Sequence, residues 1–367
     1  MANDSLGCDP TTSVTSRAVA SFVSVEQFVE RARGTLDHSH FLWGDAAAGR
    51  EVTAARNTLA LNRLALISQV LVDVGDVDVS SSFVGVPLRL PIVMAPVGAA
   101  SLYHPEGAVA AAAAAATAGT SSTCAMLASS AWEDVAATAP GRHFFQLYVG
   151  GDRGWLAAVI ARVEAAGFAG IIVSADSPVV GRRDRVLVDG FTWSQALRAH
   201  PENLAGLGYD SEFRKRATWD DMEWICAATS LPVVLKGVLS THDARSGVDR
   251  GCAGIYVSNH GGRTLDHNIS TIEVLEEIVE TVDGSADVMI DGGFTGGPDV
   301  CKALALGAKA VALGRLQCWA LAAGGQFGVQ RLLEILRAEL ETSMANLGCD
   351  RIANLGPERI RWSIPTV

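Results

Sequence analysis

The chain has 367 residues, 49% hydrophobic and 19% charged, with a formal net charge of −11. That much apolar matter argues against disorder, and an acidic chain gains nothing from the counterion release that drives nucleic-acid binding. The seven cysteines (Cys8, Cys124, Cys226, Cys252, Cys301, Cys318 and Cys349) form no C-x-x-C pair. They argue against a zinc site or a disulfide framework and for buried thiols in a reducing cytoplasm.

Residues 1–20 read as a disordered leader, because they lack the basic start and apolar run of a secretory signal. Residues 24–75 read as two helices, 25–34 and 51–61, and a connection. From about residue 90, short apolar runs alternate with helical patterns. The expected strands are 92–95, 121–125, 144–147, 171–174, 233–235, 254–257, 288–290 and 310–313. Expected helices include 106–118, 155–166, 218–228, 241–250, 272–282 and 298–306. Such alternation implies a parallel sheet with right-handed crossovers, and eight repeats imply closure. The expected fold is therefore α/β: a (β/α)8 TIM barrel with an N-terminal helical extension, residues 21–367 forming one domain. Residues 184–217 make a polar insertion after the fourth strand. Its length and its place at a strand's C-terminal end fit a substrate lid, and a plain surface excursion fits nearly as well. The longest apolar stretch, 108–118, is too short to cross a bilayer, so a soluble protein is expected.

Polar residues follow the apolar runs at six strands: Gln146 and Tyr148; Ser174 and Asp176; Lys236; Ser258, Asn259, His260 and Arg263; Asp291; and Arg315. In a barrel these converge on the C-terminal face, where catalytic groups sit. Any one of them has a bland explanation; their agreement points to a site.

The run Ser258-Asn259-His260-Gly261-Gly262-Arg263-Thr264-Leu265-Asp266 resembles the S-N-H-G-x-R-x-L-D signature of the FMN-dependent 2-hydroxy acid oxidases and dehydrogenases. That family includes glycolate oxidase, lactate oxidase and mandelate dehydrogenase. Further matches fall in order at Phe145-Gln146-Leu147-Tyr148, Asp176-Ser177-Pro178, Gly181-Arg182-Arg183, Leu235-Lys236-Gly237-Val238, Asp291-Gly292-Gly293 and Gly314-Arg315. The resemblance runs from about residue 25 to residue 360.

The resemblance implies FMN at the strand C-termini and oxidation of an L-2-hydroxy acid to a 2-keto acid. His260 is then the base, since imidazole accepts and releases protons near neutrality, and Asp176 holds its ring. Arg183 and Arg263 would clamp the substrate carboxylate with their guanidinium forks, while Arg182 points elsewhere. Tyr148 would donate to the substrate. Lys236 would stabilise negative charge on the reduced flavin, and Gln146, Ser174 and Ser258 would bond its polar atoms. Asp291, Gly292, Gly293, Gly314 and Arg315 would make the phosphate end. A homotetramer is implied as well.

Several positions depart from the family pattern. After Asp291-Gly292-Gly293 the chain reads Phe294-Thr295, so a phosphate-binding arginine is missing. Trp43 stands where a tyrosine usually contacts the substrate carboxylate. Leu127 replaces an indole near the substrate, and Pro96-Val97-Gly98 puts a glycine against the flavin ring. These changes favour a substrate larger than glycolate or lactate, such as an aryl or long-chain acid. Reoxidation by dioxygen, giving peroxide, ranks first, since neither a haem-binding domain nor a membrane segment is seen. The alternatives are a quinone- or protein-linked dehydrogenase, an oxidative decarboxylase, a related FMN-dependent isomerase, and an inactive flavin-binding relative.

Overall fold

Short runs of apolar residues, buried along nearly their whole length, build the centre of the molecule. In the computed structural model, which describes residues 18–196, 203–204 and 209–363, they form eight parallel strands. These are β4 (Ile92–Met94), β5 (Thr123–Ala125), β6 (Phe144–Leu147), β7 (Gly170–Ser174), β8 (Val233–Val238), β9 (Gly254–Val257), β10 (Asp287–Ile290) and β11 (Ala310–Leu313). Burial on both faces is why they read as continuous apolar runs rather than alternating ones. The sheet order is β4-β11-β10-β9-β8-β7-β6-β5. A parallel bridge between Met94 and Ser122 joins its two ends, and the Met94 N–H donates to the Ser121 carbonyl at 3.0 Å. The eight expected strands are all present, and the expected barrel is observed.

Inside the barrel, Val93, Ile172, Val234, Tyr256 and Met289 pack with Phe83 and Val86. The last two belong to an antiparallel hairpin, β2 (Ser81–Phe83) with β3 (Val86–Leu88). Phe83 meets Phe144 edge-on at 5.7 Å, and the Val84 N–H donates to Asp287 at 2.6 Å. Phe144 and Asp287 open their strands, so the hairpin plugs the N-terminal end of the barrel. The opposite end is left for a site.

The expected helices appear within a few residues of their bounds, beginning with α1 (Val25–Thr35). Among the described residues, helices outside the expected set include α2 (His38–Asp45), a short one at Trp132–Ala137, and the 33-residue Arg315–Leu347. The last bends at Gly324-Gly325. Gly325 has φ +56°, and a Cβ there would lie 2.7 Å from the His104 ring. The expected leader is partly corrected: residues 1–17 lie outside the described residues, but Ala18–Ala20 are helical and Val19 is buried. The described part of the insertion carries helices at Asp184–Asp189 and Trp193–Ala196 and a 3-10 turn at Ser211–Lys215. Its Val186 and Ala196 pack with Leu42, Trp43 and Ala46 around α2, beside the open end of the barrel.

Candidate active site

The turn after β9 depends on its glycines. His260, Gly261 and Gly262 have φ of +57°, +64° and +75°. Glycine adopts such angles freely; a histidine there is held by its surroundings. The Asn259 side chain accepts from the Gly262 N–H at 3.1 Å, and the Ser258 hydroxyl accepts from the His260 N–H at 3.0 Å. A Cβ on Gly262 would fall 2.7 Å from the Ala54 nitrogen. The turn thereby aims the imidazole into a cavity of about 380 Å³ at the C-terminal mouth of the barrel.

Behind His260 stands Asp176, whose oxygens lie 3.1 and 3.2 Å from Nδ1. A carboxylate partner makes Nδ1 the protonated nitrogen, leaving Nε2 as the acceptor. Gly237, with φ +106°, permits this approach, because a Cβ there would lie 2.4 Å from the Asp176 Cβ. Burial alone would raise the Asp176 carboxyl; the charges of Lys236 and His260 outweigh it and hold it down at about 2. Lys236 is 2% exposed and donates to the Ser258 hydroxyl at 2.8 Å. Its ammonium lies 3.6 Å from Asp176 and 3.9 Å from Asp291. Burial opposes its charge, but these two carboxylates prevail and raise its pKa. Tyr256 completes the layer, donating to Asp291 at 2.9 Å.

The arginines behave differently from one another. Arg183 stacks 4.6 Å over the Trp43 ring, and its buried Nε and Nη1 have no partner among the described residues. Burial lowers its pKa to about 10, so it stays charged at neutral pH. Arg263 is also lowered to about 10 by burial, followed by the field of Arg183. Its Nη1 donates to the Gly44 and Ala46 carbonyls at 2.9 and 2.6 Å, and its Nη2 to the Trp43 carbonyl at 2.9 Å. These bonds tie it to the end of α2 and use three of the five N–H groups of a guanidinium. Arg315 bonds the Gly261 carbonyl at 3.0 Å and the Gly44 carbonyl at 3.3 Å, which leaves its buried Nη2 unpartnered. Arg182 is a surface residue paired with Asp184 at 2.8 Å, as expected.

Every site residue expected from sequence lines the cavity, except Asp176 and Ser258 one layer behind. Thus Trp43, Pro96, Val97, Gly98, Leu127 and Tyr148 share one space with the polar set. Tyr103, Cys318 and Trp319 were missed. They lie in segments without a recognised motif, and only the fold brings them to the mouth. Four cations line the cavity (Arg183, Lys236, Arg263 and Arg315), so it favours anions despite the acidic chain.

The donor set fits a flavin nucleotide. Gln146 Nε2, Ser174 Oγ and Asp291 Oδ1 are buried without partners among the described residues, as the polar edges of a ring system would require. Gly292 and Gly293, at φ +103° and +87°, pack on Asn57 and bring main chain to the phosphate end beside Arg315. Thr295 supplies no cation there; its N–H and hydroxyl both donate to Asp299.

A family model of FMN-dependent dehydrogenases matches residues 32–362. The chain belongs to that family. The chain is 36% identical to the L-lactate oxidase of Nostoc sp. over 356 residues, covering 92% of this chain and 98% of that one. It is 40% identical to the 4-hydroxymandelate oxidase of Amycolatopsis orientalis over 344 residues, covering 90% and 96%. A solved structure of mandelate oxidase with benzoyl-formic acid matches it with a TM-score of 0.87 at 39% identity, covering 95% and 100%. The cofactor is FMN, and the chain is an enzyme of the (S)-2-hydroxy-acid oxidase kind. Among the described residues, no helix is long and apolar enough to cross a membrane.

Proposed function

We propose that this enzyme converts an (S)-2-hydroxy acid bearing an aryl or long-chain group to the 2-keto acid, with dioxygen reduced to hydrogen peroxide. The observation that carries this reading is one cavity that joins the His260–Asp176 pair, the unpartnered donors of Arg183 and an apolar wall including Leu127. Likeness to 4-hydroxymandelate and mandelate oxidases supports the aryl assignment.

Arg183 receives the substrate carboxylate through donors that burial has already stripped of water, so little reorganisation is needed on binding. Arg263 adds its field while its hydrogen bonds brace the Trp43–Ala46 segment. Tyr148, capped by the Arg214 guanidinium at 4.8 Å, keeps its proton because burial raises its pKa, and it donates to the substrate's oxygen atoms. His260 Nε2 takes a substrate proton, and Asp176 stabilises the imidazolium that results. Bound FMN would supply the two-electron redox chemistry that the oxidation and the reduction of dioxygen need. Lys236 holds a fixed positive charge, as a site that accumulates electrons requires. Gln146, Ser174 and Ser258 would supply the remaining polar contacts to the ring, and Arg315 with the Gly292, Gly293 and Gly314 backbone would hold the phosphate. The helices Asp184–Asp189 and Trp193–Ala196 would serve as the lid, Phe191 between them meeting Trp43 edge-on at 5.8 Å.

Oxygen consumption and peroxide yield with glycolate, (S)-lactate, (S)-mandelate, 4-hydroxymandelate and 2-hydroxyoctanoate test the proposal. The aryl or long-chain acids should give the highest kcat/KM, with one peroxide per keto acid. Equal turnover of glycolate removes the size argument. Oxidation that needs a quinone removes the oxidase assignment.

A further inference from the structure

Tyr103 sits in the loop after β4, 6% exposed, on the wall of the same cavity. A short 3-10 turn, Ala100–Leu102, delivers it there. Its ring meets Trp319 edge-on at 5.9 Å, which fixes the direction of the hydroxyl. That hydroxyl lies directly over Gly44, where a Cβ would stand 2.7 Å from it. Glycine at 44 therefore leaves the space the hydroxyl occupies, and the Gly44 carbonyl is one of the oxygens that fix Arg263. Both Arg183 and Arg263 lie close enough for their charges to act on the phenol. Burial raises its pKa well above the usual value, so it remains a neutral O–H donor. The Cys318 thiol lies near it, itself kept protonated by burial, which pushes it up to about 12. Sulfur is a weak acceptor, and a carboxylate oxygen is a far better one.

We infer that Tyr103 is the third arm of the carboxylate clamp, donating its hydroxyl to the substrate anion held by Arg183 beside Arg263. The inference rests on the reading of this cavity as a 2-hydroxy acid site. It adds a residue that motif matching does not assign. It also gives the bound carboxylate a donor from the barrel's first loop in addition to the arginine after β7. Arg263 spends three of its five N–H groups on main-chain oxygens, so a further donor strengthens the clamp.

The test is Tyr103→Phe, which keeps the ring and its contact with Trp319. FMN-loaded parent and variant are titrated with benzoylformate, glyoxylate and 2-hydroxy-2-phenylacetamide, following the change in flavin absorbance on binding. Both carboxylates should bind the variant about 10- to 100-fold more weakly, the range for a hydrogen bond to a charged group. The neutral amide should change by less than about 3-fold. Under turnover, KM should rise more than kcat falls. Carboxylate affinities within about 2-fold of the parent's overturn the inference. So does an equal loss for the amide, which marks a packing role. A parent that binds neither carboxylate overturns the site reading and this inference with it. Binding of glyoxylate without benzoylformate removes only the aryl assignment, and the glyoxylate series then decides on Tyr103.

Discussion

Replacing Asp176 by Asn removes one negative charge 3.1 Å from His260 Nδ1 and leaves the shape of the pair almost intact. When His260 accepts a proton, the imidazolium and the carboxylate form an ion pair about 4 Å apart between charge centres. At an effective dielectric of about 20 that pair is worth roughly 4 kcal/mol. The loss falls on the transition state, where the imidazolium forms, and not on the resting enzyme. A barrier higher by that amount slows flavin reduction by about a thousandfold. Substrate affinity should change far less, because Arg183 is the group with open donors and Asp176 does not line the cavity. The assay is anaerobic stopped-flow mixing of FMN-loaded enzyme with (S)-mandelate, following flavin absorbance across substrate concentrations. The limiting rate should collapse while the half-saturating concentration stays within about 10-fold. A limiting rate within about 10-fold of the parent's refutes the claim that Asp176 stabilises a charged His260.

Lys236→Met leaves Asp176 and Asp291 without their shared cation in a buried layer; denaturant unfolding should show a loss of about 3–5 kcal/mol. Arg182→Ala, which breaks an exposed pair, should cost less than about 1 kcal/mol in the same experiment. Leu127→Trp fills the apolar wall, so kcat/KM for (S)-mandelate should drop by about 10- to 100-fold and that for (S)-lactate should hold nearly steady. His143, 1% exposed between Ser122 and Thr138, is pushed down to about 4 by burial, with Arg142 adding to the effect. Its folded-state pKa lies below the unfolded value of about 6.5, so the unfolded chain binds the extra proton first. Stability is complete above about pH 6.5 and is lost as pH falls toward 4; His143→Gln should flatten that limb of the unfolding free energy.

Much of this was legible in the sequence because barrel strands are buried on both faces. Runs such as Phe144–Leu147 and Gly254–Val257 need no alternation to be recognised, and the polar residues that end them stand out. The turn from Ser258 to Arg263 was legible because three consecutive left-handed residues demand its glycines. The helix His38–Asp45 was not legible: it has apolar residues on several sides and no stripe, because lid, cavity and outer helices surround it. Neither was the break at Gly324-Gly325, whose cause is the His104 ring far away in sequence. The role of Arg263 was half legible. Its guanidinium reaches the site as expected, but only the fold shows that it also bonds the Trp43, Gly44 and Ala46 carbonyls. Tyr103 was invisible for a related reason, since its meaning depends on a glycine 59 positions earlier leaving room for its hydroxyl.

The most direct test of the central claim is the visible spectrum of the FMN-loaded enzyme, mixed with (S)-mandelate without oxygen and then opened to air. The account predicts that the flavin bands bleach with (S)-mandelate, stay unchanged with (R)-mandelate, and return on aeration with formation of one peroxide per benzoylformate. Bands that persist through incubation with every aryl and long-chain 2-hydroxy acid, or that bleach equally in a His260→Ala variant, contradict it.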